Sequence, residues 1–141
     1  MTREPIFAAL FAKLAATPGL STSSRILKHF SDVLIPDQPA LFLSEVSQTV
    51  ERSRGLPKKW IFLCNVYVYV RRAGMDQISS TNINNILDAI EAALEPPAGT
   101  DVQTLGGLVE HCWIEGTVAT DEGTLGEQAV AIIPIRILVT S

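Results

Sequence analysis

The sequence predicts an α+β domain: a mostly antiparallel β-sheet of about five strands with two α-helices packed on one face. Three observations carry that expectation. Two segments, one near the start and one past the middle, space their apolar residues by three and four, the mark of an amphipathic helix. Several other segments alternate or run apolar over strand length. The elements follow one another as helix, three extended segments, helix and two strands, which is an α+β order rather than a βαβ repeat. At 141 residues the whole chain, 1–141, is expected to be one domain.

The first helix is carried by "REPIFAALFAKLAAT". Ile6, Phe7, Leu10, Phe11 and Leu14 fall on one stripe, Thr2 is placed as N-cap, and Glu4 and Pro5 suit a first turn. Pro18 and Gly19 stop it. "SRILKHFSDV" alternates and is expected to be extended. "IPDQP" turns the chain, and residues 40–50 form a strand. Gly55 and Pro57 break it, and "KKWIFLCNVYVYVRR" forms the next strand, so the two are expected to pair as an antiparallel hairpin. The second helix is capped by Ser79 or Ser80, presents Ile83, Ile86, Leu87, Ile90 and Leu94, and ends at Pro96-Pro97. Strands are then expected at 108–118 and from 128 to the C-terminus. Pro134 lies inside the last of these, which predicts an edge strand or a bulge.

The stretch 58–72 poses the main question. Its even positions, Trp60 to Val70, are apolar, and its odd positions, Ile61, Leu63, Asn65, Tyr67 and Tyr69, are hardly wetter. Two helices of about four turns cover only one face of such a sheet. Tyrosine suits a surface where an apolar body meets a polar rim. Ile61, Leu63, Tyr67 and Tyr69 are therefore candidates for contact with a neighbouring subunit. Ile133, Pro134 and Ile135, on an expected sticky edge, join them.

Composition narrows the classes of function. The hydrophobic fraction is 47% against 18% charged, a globular balance with an apolar surplus that hints at an interface. No apolar run approaches the roughly 20 residues that cross a bilayer, and no secretory signal is expected around Glu4 and Pro5. Cys64 and Cys112, both in expected strands, are read as buried reduced thiols in preference to the alternative, a disulfide across the sheet. The net charge of −4 hides a division: residues 1–72 carry ten bases and five acids, whereas 73–141 carry Arg136 and ten acids. Either the halves interleave into a mixed surface, or a basic side of one subunit meets an acidic side of the next.

Sites for chemistry are sparse. His111 and Cys112 are adjacent in a strand and point to opposite faces, and no ligand pair has zinc spacing. Neither cysteine sits on a helix N-terminus or sharp turn, as a nucleophile would. Glu110 and Glu115 fall on opposite faces, and no phosphate-binding glycine motif occurs. Catalytic residues, metals and cofactors are all expected to be none, and the chain is not expected to be an enzyme. Arg52, Arg54, Lys58 and Lys59 at one end of the strand, and Arg71 and Arg72 at the other, are separated by about 35 Å at strand rise. Two small patches on an acidic chain are poor phosphate binders, and Arg52, Arg54, Arg71 and Arg72 are instead candidates for a solvated rim or for contact with an acidic partner.

The last third, "TLGGLVEHCWIEG" followed by "QAVAIIPIRILV", resembles the tail terminator (tail completion) proteins of long-tailed bacteriophages. "RILKHFSDVLIPDQPALFLSE" and "KKWIFLCNVYVYVRR" are similar to that family's central sheet. The resemblance spans nearly the whole chain and rests on strand patterns, with no catalytic residues to carry over. It implies a small α+β subunit that closes into a hexameric homo-oligomer. Such a ring caps the head-proximal end of the tail tube, ends its polymerisation and docks the head–tail connector or stopper. It would be assembled in the host cytoplasm, with DNA passing its lumen without specific binding and no membrane involved. Under that resemblance Glu110, Glu115, Asp121 and Glu122 are candidates to face the lumen. The alternatives are another ring of the same neck, a small cytosolic enzyme, or a small cytosolic DNA-binding regulatory module supported only by the basic patches.

Overall fold

A computed structural model describes residues 1–71, 78–123 and 127–141. The chain runs α1 (Arg3–Ala15), β1 (Thr22–Ser24), β2 (Ala40–Glu51), β3 (Lys59–Arg71), α2 (Ser79–Ala93), β4 (His111–Ile114), β5 (Ala119–Glu122) and β6 (Gln128–Thr140). The α+β expectation holds. Among the described residues the sheet has six strands rather than about five, in the order β1-β2-β3-β6-β4 with β5 also on β6. It is mixed rather than antiparallel throughout, because β1 runs parallel to β2, with Thr22 opposite Ala40.

The core follows from the period-two pattern. Phe62, Cys64, Val66, Val68 and Val70 of β3 share one buried cluster with Ala129, Ala131, Ile133, Ile135, Ile137 and Val139 of β6. The register puts Phe62 opposite Ile137 and Val66 opposite Ile133, so the rows meet side by side. Ile6, Phe7, Leu10 and Leu14 of α1 and Ile83, Ile86 and Ile90 of α2 belong to the same cluster. The first helix starts at the expected cap and the second does not. Thr2 is the N-cap of α1 but makes no side-chain cap bond, and α2 begins at Ser79 behind Ile78.

The predicted 40–50 and 58–72 hairpin forms, with Ala40 opposite Tyr69 and Glu51 opposite Lys59. A bulge between Glu45 and Ser47 leaves Val46 exposed. Beyond that bulge every residue of β2 is exposed, while β3 stays paired with β6 to its end, Lys59 opposite Thr140, so that only the 52–58 turn lies past the sheet.

Two sequence expectations need correction. Residues 24–33 are not a strand beyond Ser24. Local side-chain bonds compete with a ladder there: Ile26 N–H donates to Ser24 Oγ at 3.0 Å, and Ser31 N–H donates to His29 Nδ1. The segment instead forms turns at Phe30–Asp32 and Ile35–Asp37 and lies over the sheet. The expected strand at 108–118 is two short strands, β4 and β5, broken at 115–118.

That break explains Pro134. β6 is not an edge strand but the centre of the sheet, flanked by β3 and by β4 and β5. The Pro134 carbonyl accepts from Glu115 N–H at 3.3 Å, so the proline nitrogen also faces the β4–β5 side, where the ladder is interrupted. Pro134 thus faces Glu115 just past the last ladder pair, Ile114 with Ile135, and a proline is tolerated where the ladder ends.

Candidate assembly surfaces

The second face of the sheet is only partly covered by this chain. At one end Val33, Ala40, Phe42 and Tyr69 form a small cluster of their own, with Phe30, Tyr67 and Val130 packed against it. Tyr69 O–H donates to the Lys28 carbonyl at 2.7 Å, and Gln38 Nε2 donates to the Val33 carbonyl and to Gln128 Oε1. These bonds fasten the 25–39 segment down. Burial there pushes the Tyr69 hydroxyl above its ordinary pKa.

The rest of that face carries no such cover. Ile61 and Leu63 of β3 lie half-buried opposite Leu138 and Arg136 of β6, and Tyr67, half-buried opposite Ile132, marks the border with the covered cluster. His111 and Trp113 extend the same face, their rings stacked 4.8 Å apart, and register with Leu138 and Arg136. Arg136 Nε lies 2.8 Å from Glu115 Oε2. The surface is thus an apolar strip with one ion pair, the composition of an interface centre with a polar rim.

The predicted interface residues divide accordingly. Ile61, Leu63, Tyr67 and Pro134 stand on the open face, half-buried. Tyr69, Ile133 and Ile135 do not: at 4%, 1% and 0% exposure they lie in the subunit's own interior. Tyr69 is covered by the 25–39 segment, and the two isoleucines point into the helix-side core because they stand opposite Val66 and Cys64 on that face of β3. Arg52 and Arg54 are exposed in the β2–β3 turn, Arg71 is half-buried at the far end of β3, and Arg72 lies outside the described residues. The four acidic candidates do not converge. Glu110 and Glu115 flank β4, and Asp121 and Glu122 sit on β5, which pairs with β6 from Ala129 to Ile132; Glu110 N–H bonds the Leu138 carbonyl. They are strung along one edge over nine residues of β6, about 30 Å at strand rise.

Three features escaped the sequence reading. A groove of about 430 Å³ lies between α2 and the β4–β5 break, lined by Leu87, Ile90, Ile114 and Val118 with Asp88 and Glu91 on it. Leu56 stands 66% exposed between Arg54 and Lys58 in the β2–β3 turn. Ile26, Leu27, Leu34 and Ile35 are exposed on the covering segment. The first depends on elements distant in sequence, and the other two look like ordinary turn residues until their surroundings are known.

Electrostatics elsewhere is structural. Arg25 bridges Glu4 of α1, in a bidentate contact, and Glu45 of β2 at 3.5 Å. The hydrogen bond from Arg25 holds the Glu4 carboxyl below its ordinary range and raises the guanidinium. Arg3 lies 4.7 Å over the Trp60 ring and donates from Nε to Gln48 Oε1 at 2.6 Å, closing one end of the core. Burial drives both Cys64 and Cys112 thiols up to about 12, so neither supplies a thiolate near neutrality. Among the described residues no group of three or more His, Cys, Asp or Glu side chains could hold a metal, and no helix is long and apolar enough to cross a membrane.

No family model matches the chain, and no curated protein sequence matches it. Its architecture does match a solved structure. A chain from the virion of a native gene transfer agent particle superposes with a TM-score of 0.58 at 12% identity, covering 99% of this chain and 100% of that one. At that identity the two share a fold, over the full length of both, and the subunit described here has the fold of a protein found in a virion.

Proposed function

We propose that this chain is a structural protein of a phage-like virion, a tail terminator that closes as a hexameric ring on the head-proximal end of the tail tube. The observation that carries the reading is the end-to-end fold match to a chain of a virion particle. The uncovered strip around Ile61, Leu63 and Tyr67 supports it, since a subunit that leaves half a sheet face open is suited to neighbours. In this reading the ring stops tube growth and presents a docking surface to the connector or stopper. Glu110, Glu115, Asp121 and Glu122 face the bore, where like charge lets DNA slide without binding. No catalytic role is assigned: the two thiols are buried and protonated, and the carboxylates are spread along an edge.

The deciding experiment mixes the purified protein with purified tail tubes and follows native mass by light scattering and ring formation by negative-stain imaging. A six-fold ring seated at one tube end is the expected result. A ring that ignores tubes but binds the head connector would move the protein to another place in the neck. A subunit that does neither would remove the virion reading.

A further inference from the structure

We propose that the exposed β2–β3 turn, residues 52–58, is a plug whose tip seats in the groove between α2 and the β4–β5 break of a second copy of this chain. The inference rests on the assembly reading above and names the contact that builds the assembly.

The two surfaces match in chemistry. The tip runs "ERSRGLPKK", with Arg52, Arg54, Lys58 and Lys59 around Leu56, against one acid, Glu51. Leu56 is the large apolar side chain exposed among those cations, at 66%. The groove is its complement: an apolar floor of Leu87, Ile90, Ile114 and Val118, edged by the carboxylates Asp88 and Glu91. Glu95 and Asp101 continue the acidic edge around a neighbouring hollow that shares Glu91 and Ile114 with the groove. The carboxylates around the groove and its neighbouring hollow are Asp88, Glu91, Glu95 and Asp101, and no lysine or arginine lines either, so a basic tip meets attraction there.

Geometry requires the partner to be another molecule. Lys59 stands opposite Thr140, whereas the groove's Ile133 stands opposite Val66. The seven-residue offset along β3 is about 23 Å at strand rise, and the turn lies beyond the Lys59 end of the sheet. No subunit can fill its own groove with its own tip. Because tip and groove are different patches, the contact is heterologous, and successive copies propagate head to tail until a ring closes.

The test uses two full-length variants, each with one surface spoiled. Leu56→Asp damages the tip and leaves the groove. Asp88→Lys with Glu91→Lys reverses two exposed groove charges and leaves the tip. Circular dichroism melts establish that both fold. Wild type should give the ring mass by light scattering. Each variant alone should give single subunits of 15.3 kDa. Their equimolar mixture should give a one-to-one pair that grows no further, since it has one good contact and no free good surfaces to pair. Adding Arg52→Glu and Arg54→Glu to the groove variant should restore the ring. Variants that still form rings would overturn the plug and leave the virion reading intact. A wild-type chain that stays single at every concentration, with no pairing in the mixture, overturns the plug as well; the tail-tube experiment then decides the function separately. A tip that instead retards duplex DNA with steep salt dependence, lost in Arg52→Glu with Arg54→Glu, would assign those cations to phosphate and overturn the proposal.

Discussion

At the scale of single residues, the consequences of burial are the most direct. Cys64 and Cys112 sit in the core with their thiols raised from an ordinary 9.0 to about 12. They should resist alkylation in the folded protein and react at once in denaturant, which a mass-spectrometric time course reads. The same shift sets a pH dependence. A folded thiol that keeps its proton while the unfolded one releases it contributes fully below the unfolded pKa and is lost as pH rises toward the folded one. Melting temperature should therefore fall above about pH 9, and Cys64→Ala with Cys112→Ala should flatten that fall. Tyr69 makes a different test. Tyr69→Phe keeps the ring against Phe42 but leaves the Lys28 carbonyl without its 2.7 Å donor. The expected cost is about 1 kcal/mol, read as a lower urea midpoint with an unchanged slope. The alternation of residues 58–72 announced that Tyr69 faces away from the helices. It could not announce that residues 25–39 fold back over it, since that burial depends on a loop some 40 positions away in sequence.

At the scale of elements, what was legible is what is written locally. Both helices carry their spacing and their proline stops within a few residues, and the hairpin carries its turn. β6 carried its alternation, but its place in the sheet was misread. A proline argues for an edge only when the neighbouring ladder is continuous, and the sequence of 108–118 gives little sign of the break that lets β6 lie at the centre. Gly116 is the one hint. Its φ of +116° suits glycine, and a Cβ there would meet Pro134 Cγ at 3.2 Å. Gly116→Ala should cost on the order of 1–3 kcal/mol in thermal unfolding. Combining it with Pro134→Ala should recover only the steric part, and full recovery would show that backbone strain contributes nothing. The short parallel strand β1 was invisible for a similar reason: "TSS" has no strand signature, and only its pairing with Ala40–Phe42 makes it one.

At the scale of the whole molecule, the open sheet face and the charge division are the features the sequence did announce, although it placed three core residues on the contact surface. The candidate surfaces can be separated by substitutions that spare the fold. Ile61 and Leu138 are cross-strand neighbours on the open face. Ile61→Lys with Leu138→Glu replaces an apolar pair by opposite charges that offset each other in the free subunit, so unfolding free energy should move by less than about 1 kcal/mol. Ring mass should nevertheless be lost if this face is covered on assembly. A ring that survives would turn the strip toward the bore or toward solvent, and leave subunit contact to the tip and groove. The position of β6 has a further effect, on when the molecule can come into being. Its thirteen residues, Gln128–Thr140, run between β3 and the β4–β5 pair and supply six members of the main core cluster. A nascent chain can zip the β2–β3 hairpin early, but it has no closed core until the segment through residue 140 has cleared the ribosome. An incomplete translation product is therefore not a damaged subunit but an unfolded one, fit for proteolysis and unable to enter an assembly as a faulty member.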